Sequence, residues 1–225
     1  MRIALLIPTL NEAATIADVV TRGRKHVDMV IVIDGGSTDG TVALARSAGA
    51  EIADGVLKGK GAALRRAFSS VDADIFVDMD GDGSHDPDDI PRLVAPIVEG
   101  TADLVIGSRM SGGSDELVGD FNKFLRMSGS NIITIVINKR FGLTLTDSQN
   151  GLRAIRASLA KSLGCREDIF TIEQEMLIRA LKRGARVMEV PAHESRRASG
   201  ESHIRLGRVW WRYVWSCAKN ILWSP

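Results

Sequence analysis

The feature of this sequence that most constrains its fold is a short aliphatic run, which recurs five times in the first half of the chain. Each run is followed by a polar turn and a helical pattern. Runs that are apolar on both faces and alternate with helices are typical of a parallel sheet covered on both sides. We therefore predict an α/β fold with a doubly wound, mostly parallel sheet flanked by helices. The predicted strands are residues 2–8, 29–34, 51–53, 75–79 and 103–107, and the helices between them are residues 11–25, 38–47, 60–70 and 90–99.

The second half of the chain follows a different pattern. Helical periodicity covers residues 121–140 and 171–183, and a short strand is predicted at 186–191. Residues 145–155 are irregular or strand-like, residues 194–203 form a polar, basic loop, and an amphipathic helix begins at residue 204. We predict one domain over residues 1–203, with a nucleotide-binding half at 1–110 and a second half at 111–203, followed by the C-terminal helix at 204–225.

Composition and charge exclude several classes of function. The 225 residues are 44% hydrophobic and 25% charged, as in an ordinary globular chain, and the formal net charge of +1 excludes a global attraction to nucleic acid. No aliphatic run approaches the roughly 20 residues that span a bilayer, and the N-terminus lacks the pattern of a signal peptide. Cys165 and Cys217 lack metal-ligand spacing. We expect a cytoplasmic protein with free thiols and no nucleic-acid partner.

Polar, glycine-rich or acidic loops follow four of the predicted strands. In doubly wound sheets, ligands bind beyond the carboxyl ends of the strands, so these loops are the predicted site. They are Pro8-Thr9-Leu10-Asn11-Glu12, Asp34-Gly35-Gly36-Ser37-Thr38-Asp39-Gly40-Thr41, Asp80-Gly81-Asp82-Gly83-Ser84-His85 and Gly107-Ser108-Arg109.

The acidic loop nearly matches the pattern of a calcium-binding loop, which would make the chain a calcium-binding module. The match begins at Asp78 and ends at Asp89. Three observations argue against it. The segment that enters the loop has strand character where a calcium loop needs a helix, His85 replaces the usual aliphatic residue, and Asp89 is shorter than the bidentate glutamate.

The interpretation that we favour takes Asp80 and Asp82 as a pair at a strand end, with Ser84 as a third oxygen. Alternate residues of an extended stretch point the same way, so both carboxylates can bind one hard cation. Such a cation would bridge and neutralise a diphosphate. The alternative is a purely structural role, in which this acidic turn caps the next helix through Asp86 or Asp88.

The segment Gly59-Lys60-Gly61 does not form a phosphate loop, because the upstream glycine is too near and no Ser or Thr follows the lysine. The chain also lacks the G-x-G-x-x-G pattern, so neither a P-loop NTPase nor a classical dinucleotide enzyme is supported. Lys60 at a helix N-terminus would contact a nucleotide or would be a solvated residue of the first turn.

Taken together, the order and spacing of these loops resemble the family 2 glycosyltransferases of GT-A fold. The later segments resemble the branch that contains the polyprenyl- and dolichyl-phosphate mannosyltransferases. The resemblance covers residues 7–202. The later segments are Asp147-Ser148-Gln149-Asn150-Gly151-Leu152-Arg153, Glu189-Val190-Pro191 and Arg197-Ala198-Ser199-Gly200-Glu201-Ser202.

The resemblance implies a nucleotide-sugar donor of the GDP-mannose or UDP-glucose type and Mg²⁺ or Mn²⁺ as cofactor. It places Asp34 against the base, Lys60 near the base or ribose, and Gly35 where many relatives carry a second acidic residue. The implied metal ligands are Asp80, Asp82 and Ser84. The implied donor-binding residues are Pro8, Asn11, Glu12, Asp34, Lys60, Asp80, Gly81, Asp82, Arg109 and Arg197.

The resemblance also implies a polyprenyl-phosphate acceptor. Arg109, Arg126 and Arg197, with Ser130, would clamp the donor and acceptor phosphates, and His203 replaces a common lysine. Arginines and a cation stabilise the negative charge that builds on the leaving diphosphate. A surface ion pair is the alternative role for Arg109 and for Arg126.

The acceptor decides whether a general base is needed, and Asp147 is the candidate base or acceptor-orienting residue. A lipid phosphate is already anionic, whereas a hydroxyl acceptor needs a carboxylate base. Capping of the turn before Asn150 is the alternative role for Asp147.

We predict an inverting, metal-dependent transfer of mannose or glucose to a polyprenyl phosphate. The same chemistry on a soluble or glycan hydroxyl is the alternative, and a sugar nucleotidyltransferase is disfavoured because the first loop lacks the G-x-G-x-R pattern.

The C-terminal helix carries an apolar stripe, with tryptophans beside it and basic residues at its edges. This combination suits peripheral contact with the inner face of a membrane. Packing on the domain itself, or a dimer contact, is the alternative. The stripe is Leu206, Val209, Trp210, Tyr213, Val214, Cys217, Ile221 and Leu222.

Overall fold

The computed structural model describes residues 1–53, 55–57, 59–115, 121–196 and 206–223, and gives only the backbone for 121–126 and 206–209. Its strands are β1 (Ile3–Thr9), β2 (Met29–Asp34), β3 (Glu51–Ile52), β4 (Ile75–Asp78), β5 (Leu104–Ser108), β6 (Arg153–Arg156) and β7 (Val187–Pro191). Its helices are α1 (Ile16–Gly23), α2 (Thr41–Ser47), α3 (Lys60–Ser70), α4 (Ile90–Val98), α5 (Arg109–Gly112), α6 (Phe121–Phe141), α7 (Ala157–Ser162), α8 (Ile172–Lys182) and α9 (Leu206–Leu222).

The seven strands form one sheet in the order β3-β2-β1-β4-β6-β5-β7. All neighbouring pairs are parallel except those of β6, which is antiparallel to both β4 and β5. Arg153 at the start of β6 lies opposite Asp78 on one side and Ile106 on the other. The predicted mostly parallel α/β sheet is therefore confirmed. Because β6 is reversed, the loop before it reaches the same edge as the carboxyl ends of β1, β2, β4 and β5.

Both faces of the sheet are buried, as the apolar runs predict. Successive side chains of a strand point to opposite faces, so Leu6 belongs to one core layer and Leu5 to the other. Helices α3, α6, α7, α8 and α9 contribute to the layer that contains Leu6. Helices α1, α2 and α4 contribute to the layer that contains Leu5.

Two helices begin later than predicted because the preceding residues form loops at the carboxyl edge. Asn11 has a φ of 58°, in the left-handed region, and α1 starts only at Ile16. Gly40 has a φ of 90°, which ends the loop before α2. The sequence pattern also missed the short helices α5 and α7.

The C-terminal helix α9 packs on α8, which confirms contact with its own domain. Its buried side chains are Ser216, Cys217 and Asn220, and the Gln174 side chain donates to the Tyr213 carbonyl oxygen at 2.8 Å. The buried face is thus rotated from the predicted stripe, since Val214 is 54% exposed. None of the helices in the described part of the chain has the length and hydropathy that crossing a bilayer requires.

Candidate active site

A cleft of about 370 Å³ opens at the carboxyl edge of the sheet. Its walls are largely apolar, and its charged side chains belong to Glu12, Lys60, Asp80 and Asp82. This size and this mixture of apolar walls with a few charged groups are typical of a site for a small organic ligand. The lining residues are Pro8, Thr9, Leu10, Glu12, Ile33, Gly35, Leu57, Gly59, Lys60, Ala63, Asp80, Gly81, Asp82, Ile169 and Phe170.

The loops after β1 and β2 are tied to each other by side-chain hydrogen bonds. The Asn11 N–H donates to Ser37 Oγ at 2.8 Å, and Asn11 Oδ1 accepts from the Thr38 N–H at 2.9 Å. The Asp34 carboxylate accepts from the backbone N–H groups of Gly36 at 2.8 Å and Ser37 at 3.0 Å. These contacts shape the two loops, and the nucleoside-binding roles of Asn11 and Asp34 stay predictions.

The loop after β4 is locked to the loop after β1. The Thr15 hydroxyl donates to the Gly81 carbonyl oxygen at 2.6 Å, and a Cβ at Gly81 would lie only 2.8 Å from Thr9 Cγ2. Pro8 and Glu12 line the cleft beside this contact, where the sequence predicts the nucleoside. The close packing fixes the acidic motif relative to the first loop.

The aspartates of the acidic motif, Asp80 and Asp82, both line the cleft. Asp82 Oδ1 accepts from the Ser84 N–H at 3.0 Å and from the Ser84 hydroxyl at 2.6 Å. Ser84 therefore orients Asp82, while its predicted direct contact with a metal stays a prediction. Because strand β4 enters this loop, the helix that a calcium loop needs is absent from residues 75–78.

The donor set fits a small hard cation that shares its coordination with a diphosphate. Mg²⁺ is usually held by one or two carboxylates together with substrate phosphates and water. Two aspartates at the cleft match that requirement. Within the described ranges, no group of three or more His, Cys, Asp or Glu side chains is arranged to hold a metal alone.

A buried cluster of charges lies behind the acidic motif. Lys60 Nζ is 2.7 Å from Asp80 Oδ1, 3.0 Å from Glu173 Oε1 and 3.3 Å from Asp78 Oδ2. Burial raises the pKa of Asp78 to about 7, against the attraction of Lys60. Burial also opposes the charge on Lys60, but the three carboxylates outweigh it and hold the pKa of the ammonium well above its usual value.

A second charged group lies after β5. Arg109 binds the Asp147 carboxylate through Nε at 2.5 Å and Nη2 at 3.0 Å, and its Nη1 is 3.4 Å from Glu194 Oε1. Burial alone would raise the pKa of Asp147, but the hydrogen bonds from Arg109 outweigh it and lower that pKa. The Asp147 N–H donates to Glu189 Oε1 at 2.7 Å. Two of the predicted site residues, Arg109 and Asp147, are thus paired with each other.

Of the remaining predicted residues, Arg126 and Ser130 belong to helix α6. Ser130 is half-buried, and its carbonyl oxygen accepts from the Thr134 hydroxyl, which contacts Ser148 Oγ at 2.8 Å. Helix α6 is thereby joined to the segment that contains Asp147. The side chain of Arg126 and all of Arg197 lie outside the described residues, so their phosphate-binding roles stay predictions. The same holds for His203.

These loops and their spacing agree with a comparison against known families. Residues 4–164 match the model described as Glycosyl transferase family 2, which is most of the chain. The chain belongs to glycosyl transferase family 2. This glycosyltransferase has the GT-A fold, and its sheet and helices are those that the resemblance predicts.

Two curated relatives agree with the family assignment. The chain is 37% identical over 191 residues to the glycosyltransferase AglJ of Haloferax volcanii, covering 84% of this chain and 61% of the length of AglJ. It is 34% identical over 233 residues to the undecaprenyl-phosphate mannosyltransferase of Micrococcus luteus, covering 93% of this chain and 90% of that protein. The predicted resemblance to the polyprenyl-phosphate mannosyltransferase branch is confirmed.

A solved structure shares the fold over nearly the whole chain. It is glucosyl-3-phosphoglycerate synthase from Mycobacterium tuberculosis in complex with Mn²⁺, UDP-glucose and phosphoglyceric acid. The identity is 25% and the TM-score is 0.76, and the match covers 98% of this chain and 79% of that one.

Sequence reasoning gave no role to Arg153, a fully buried residue that organises the site of this glycosyltransferase. Its guanidinium donates to the carbonyl oxygens of Asn150 at 2.8 Å, Ser148 at 2.9 Å and Glu173 at 2.7 Å. It therefore holds the loop before β6 against α8. The signal was present, since Arg153 ends one of the segments that carry the resemblance, but burial of a charge is not visible in sequence.

Proposed function

We propose that this chain transfers a hexose, mannose or glucose, from a nucleoside-diphosphate sugar to a polyprenyl phosphate, with inversion at the anomeric carbon. The donor is of the GDP-mannose or UDP-glucose type, and the cofactor is Mg²⁺ or Mn²⁺. The cleft beside the acidic motif supports a nucleotide donor, and the similarity to an undecaprenyl-phosphate mannosyltransferase supports a lipid-phosphate acceptor.

The observation that carries the choice of acceptor is the bidentate contact between Arg109 and Asp147. A hydroxyl acceptor must lose its proton during transfer, which requires a base of suitable pKa within reach. Asp147 has a lowered pKa and both of its oxygens accept from Arg109, so it is a poor base. An acceptor that arrives ionised needs no such base, and a phosphate monoester of a lipid meets that condition.

The other site residues would bind the cation, the nucleoside and the phosphates. Asp80 and Asp82 would hold the cation, which when bound neutralises charge on the leaving diphosphate. Pro8 and Glu12, which line the cleft, would bind the nucleoside together with Asp34 in the loop after β2. Arg109, together with the predicted Arg126 and Arg197, would attract the phosphates, while Asp147 fixes the direction of the Arg109 guanidinium.

A two-phase transfer assay tests this function. The protein is mixed with each of a panel of labelled nucleotide sugars, a polyprenyl phosphate and Mn²⁺, and the label extracted into organic solvent is counted. Asp80→Asn and a chelator should abolish extraction. Asp88→Asn is the matched control, because Asp88 lies in the same acidic segment but is exposed and paired with Arg22 and His26.

Each outcome of the assay is informative. Extraction of label from one donor, lost in Asp80→Asn but kept in Asp88→Asn, supports the proposal and names the sugar. Consumption of a donor without label in the lipid refutes the lipid acceptor and favours a hydroxyl acceptor. If the protein consumes none of the donors, with Mn²⁺ or with Mg²⁺ in its place, the proposed donor class is refuted.

Peripheral contact with a membrane is part of the same proposal, because the acceptor is a lipid. Helix α9 exposes Trp210, Trp211 and Trp215, and Trp223, directly after the helix, is exposed as well. Arg212 lies 5.6 Å from the centre of the Trp211 ring. Tryptophans next to basic residues suit the interface of an anionic bilayer.

Sedimentation with vesicles tests the membrane contact. Vesicles that contain phosphatidylglycerol should carry the protein down, and Trp211→Ser with Trp215→Ser should weaken binding at least threefold. Val98→Ser is the matched control, since Val98 is an exposed apolar residue on α4, on the other side of the sheet. Equal sedimentation of all variants would refute a role for this face.

A further inference from the structure

Lys60 is the first residue of α3, and its side chain is only 3% exposed. Its ammonium is shared between Asp78 and Glu173, which are buried, and Asp80, which is 27% exposed at the cleft. An ammonium has three N–H donors and no acceptor. The contact with Asp80 Oδ1 is a hydrogen bond, while Glu173 Oε1 and Asp78 Oδ2 lie within ion-pair distance of the ammonium, at 3.0 and 3.3 Å. The hydrogen bond from the Lys60 ammonium therefore ends on a predicted metal ligand.

The backbone of Gly151 packs against the same ion pair. A Cβ at this position would lie 2.8 Å from Lys60 Nζ and 2.9 Å from Asp80 Oδ2. Both distances are shorter than ordinary contacts, so a side chain at residue 151 would push the ammonium and the carboxylate away. Arg153 holds the neighbouring carbonyl oxygen of Asn150, which keeps this loop in place. The Asp80 carboxylate is therefore fixed both by Lys60 and by the loop before β6.

We propose that Lys60 is a positioning residue, which Asp78 and Glu173 anchor so that it orients the Asp80 carboxylate for the divalent cation. The proposal rests on the metal site of the proposed function. Outer partners that orient a ligating side chain are worth about 10–100-fold in metal affinity. Lys60 therefore increases the affinity for the cation, although it carries a positive charge itself.

The sign of the effect distinguishes this proposal from simple electrostatics. A positive charge close to a cation site repels the cation, so its removal would tighten binding if charge alone acted. Removal of a positioning residue weakens binding instead, because Asp80 loses its fixed orientation. Lys60→Met removes the charge at similar length, and its effect on the Kd for Mn²⁺ therefore decides between the two.

The measurement is a titration of the protein with MnCl₂, with UDP and in parallel with GDP, in which free Mn²⁺ is followed by electron paramagnetic resonance. We expect Lys60→Met to raise the Kd about tenfold or more. Arg179→Met is the matched control, because Arg179 is a buried cation paired with Glu175 at 2.9 Å on α8. It should lower stability and leave the Kd unchanged.

A second variant changes no charge and covers the case in which Lys60→Met does not fold. Gly151→Ala should also raise the Kd about tenfold, since its Cβ displaces the Lys60–Asp80 pair. Gly129→Ala on α6 is its control, because a Cβ there meets nothing within 4 Å. Circular dichroism verifies that each variant is folded before titration.

The outcomes separate this proposal from the proposed function. If the unmodified protein binds Mn²⁺, then equal or tighter binding by Lys60→Met overturns the positioning role, as does an unchanged Kd in Gly151→Ala. If the unmodified protein binds no Mn²⁺ with either nucleotide, the metal site of the proposed function is itself refuted. Weaker binding in both variants with unchanged controls supports the proposal.

Discussion

Asp147→Asn tests whether the buried carboxylate after α6 is a base or an anchor for Arg109. The substitution keeps the shape of the side chain and removes its charge. Two hydrogen bonds from the Arg109 guanidinium, at 2.5 and 3.0 Å, end on this carboxylate. We expect the variant to lose stability because a buried guanidinium is left without its main counter-charge.

The size of the loss follows from what remains around Arg109. Removing one partner of a buried ion pair costs about 3–5 kcal/mol. Glu194 Oε1, 3.4 Å from Arg109 Nη1, still supplies one negative charge, and the asparagine oxygen can accept one bond. The free energy of unfolding should therefore fall by about 3 kcal/mol, the lower end of this range. For a chain of this length this lowers Tm by about 6–12 °C.

Thermal unfolding and the two-phase transfer assay are the measurements, made over a range of pH. The lowered pKa of Asp147 means that it stays ionised as the pH falls towards its ordinary value, so it contributes no acid limb near neutral pH to the rate of the unmodified protein. Transfer by Asp147→Asn should fall about tenfold or more, through misplacement of Arg109, with the pH profile unchanged in shape.

A different result would refute this reasoning. If Asp147→Asn unfolds at the same temperature as the unmodified protein but transfers a thousandfold more slowly, Asp147 is a base rather than an anchor. Asp103→Asn is the control, because Asp103 is an ion-paired carboxylate directly before β5, whereas Arg109 directly follows that strand. It should lose stability without losing transfer.

Three further predictions concern stability and reactivity. Hydrogen bonds from Arg186 lower the pKa of Asp103. Its contribution to the free energy of unfolding is therefore present above the ordinary carboxyl pKa and is lost as the pH falls. Asp103→Asn should lower the free energy of unfolding in urea by about 1 kcal/mol at pH 7 and by less at pH 3. Gly61→Ala should cost about 1–3 kcal/mol in thermal unfolding, because its Cβ would overlap the Glu167 carbonyl oxygen. Burial raises the pKa of Cys165 to about 12, so a thiol reagent at pH 8 should modify it only after urea unfolding.

The sequence predicted the strands best where burial on both faces leaves a continuous apolar run. Strand β6 was the difficult case, because Arg153 and Arg156 occupy both of its ends and mask the pattern. The reversal of β6 could not be predicted either, since strand direction depends on which neighbours it pairs with. The start of α1 was misplaced for a local reason, the left-handed backbone of Asn11, which a helical pattern does not reveal.

The candidate site was predicted loop by loop, but not as a set of contacts. The strand-end rule placed Asp80 and Asp82 at the cleft, and the structure puts them there. It gave no reason to join Lys60 to Glu173, because these residues lie on different helices far apart in the chain. From sequence, Glu173 is only an acidic residue in the first turn of α8, where the helix dipole favours it, whereas the structure brings it within 3.0 Å of Lys60 Nζ.

The reversed strand β6 also constrains the order in which this protein can fold as it is synthesised. Within the described residues, β5 pairs only with β6 and β7, both of which follow it in the chain. Strands β1 to β4 can assemble as soon as they leave the ribosome. The wholly buried strand β5 has no strand to pair with until β6 and β7 have been synthesised, so its backbone hydrogen-bonding groups stay unpaired until then. The carboxyl edge of the sheet is therefore completed late. It requires that the segment containing Asp147, Gly151 and Arg153 has left the ribosome.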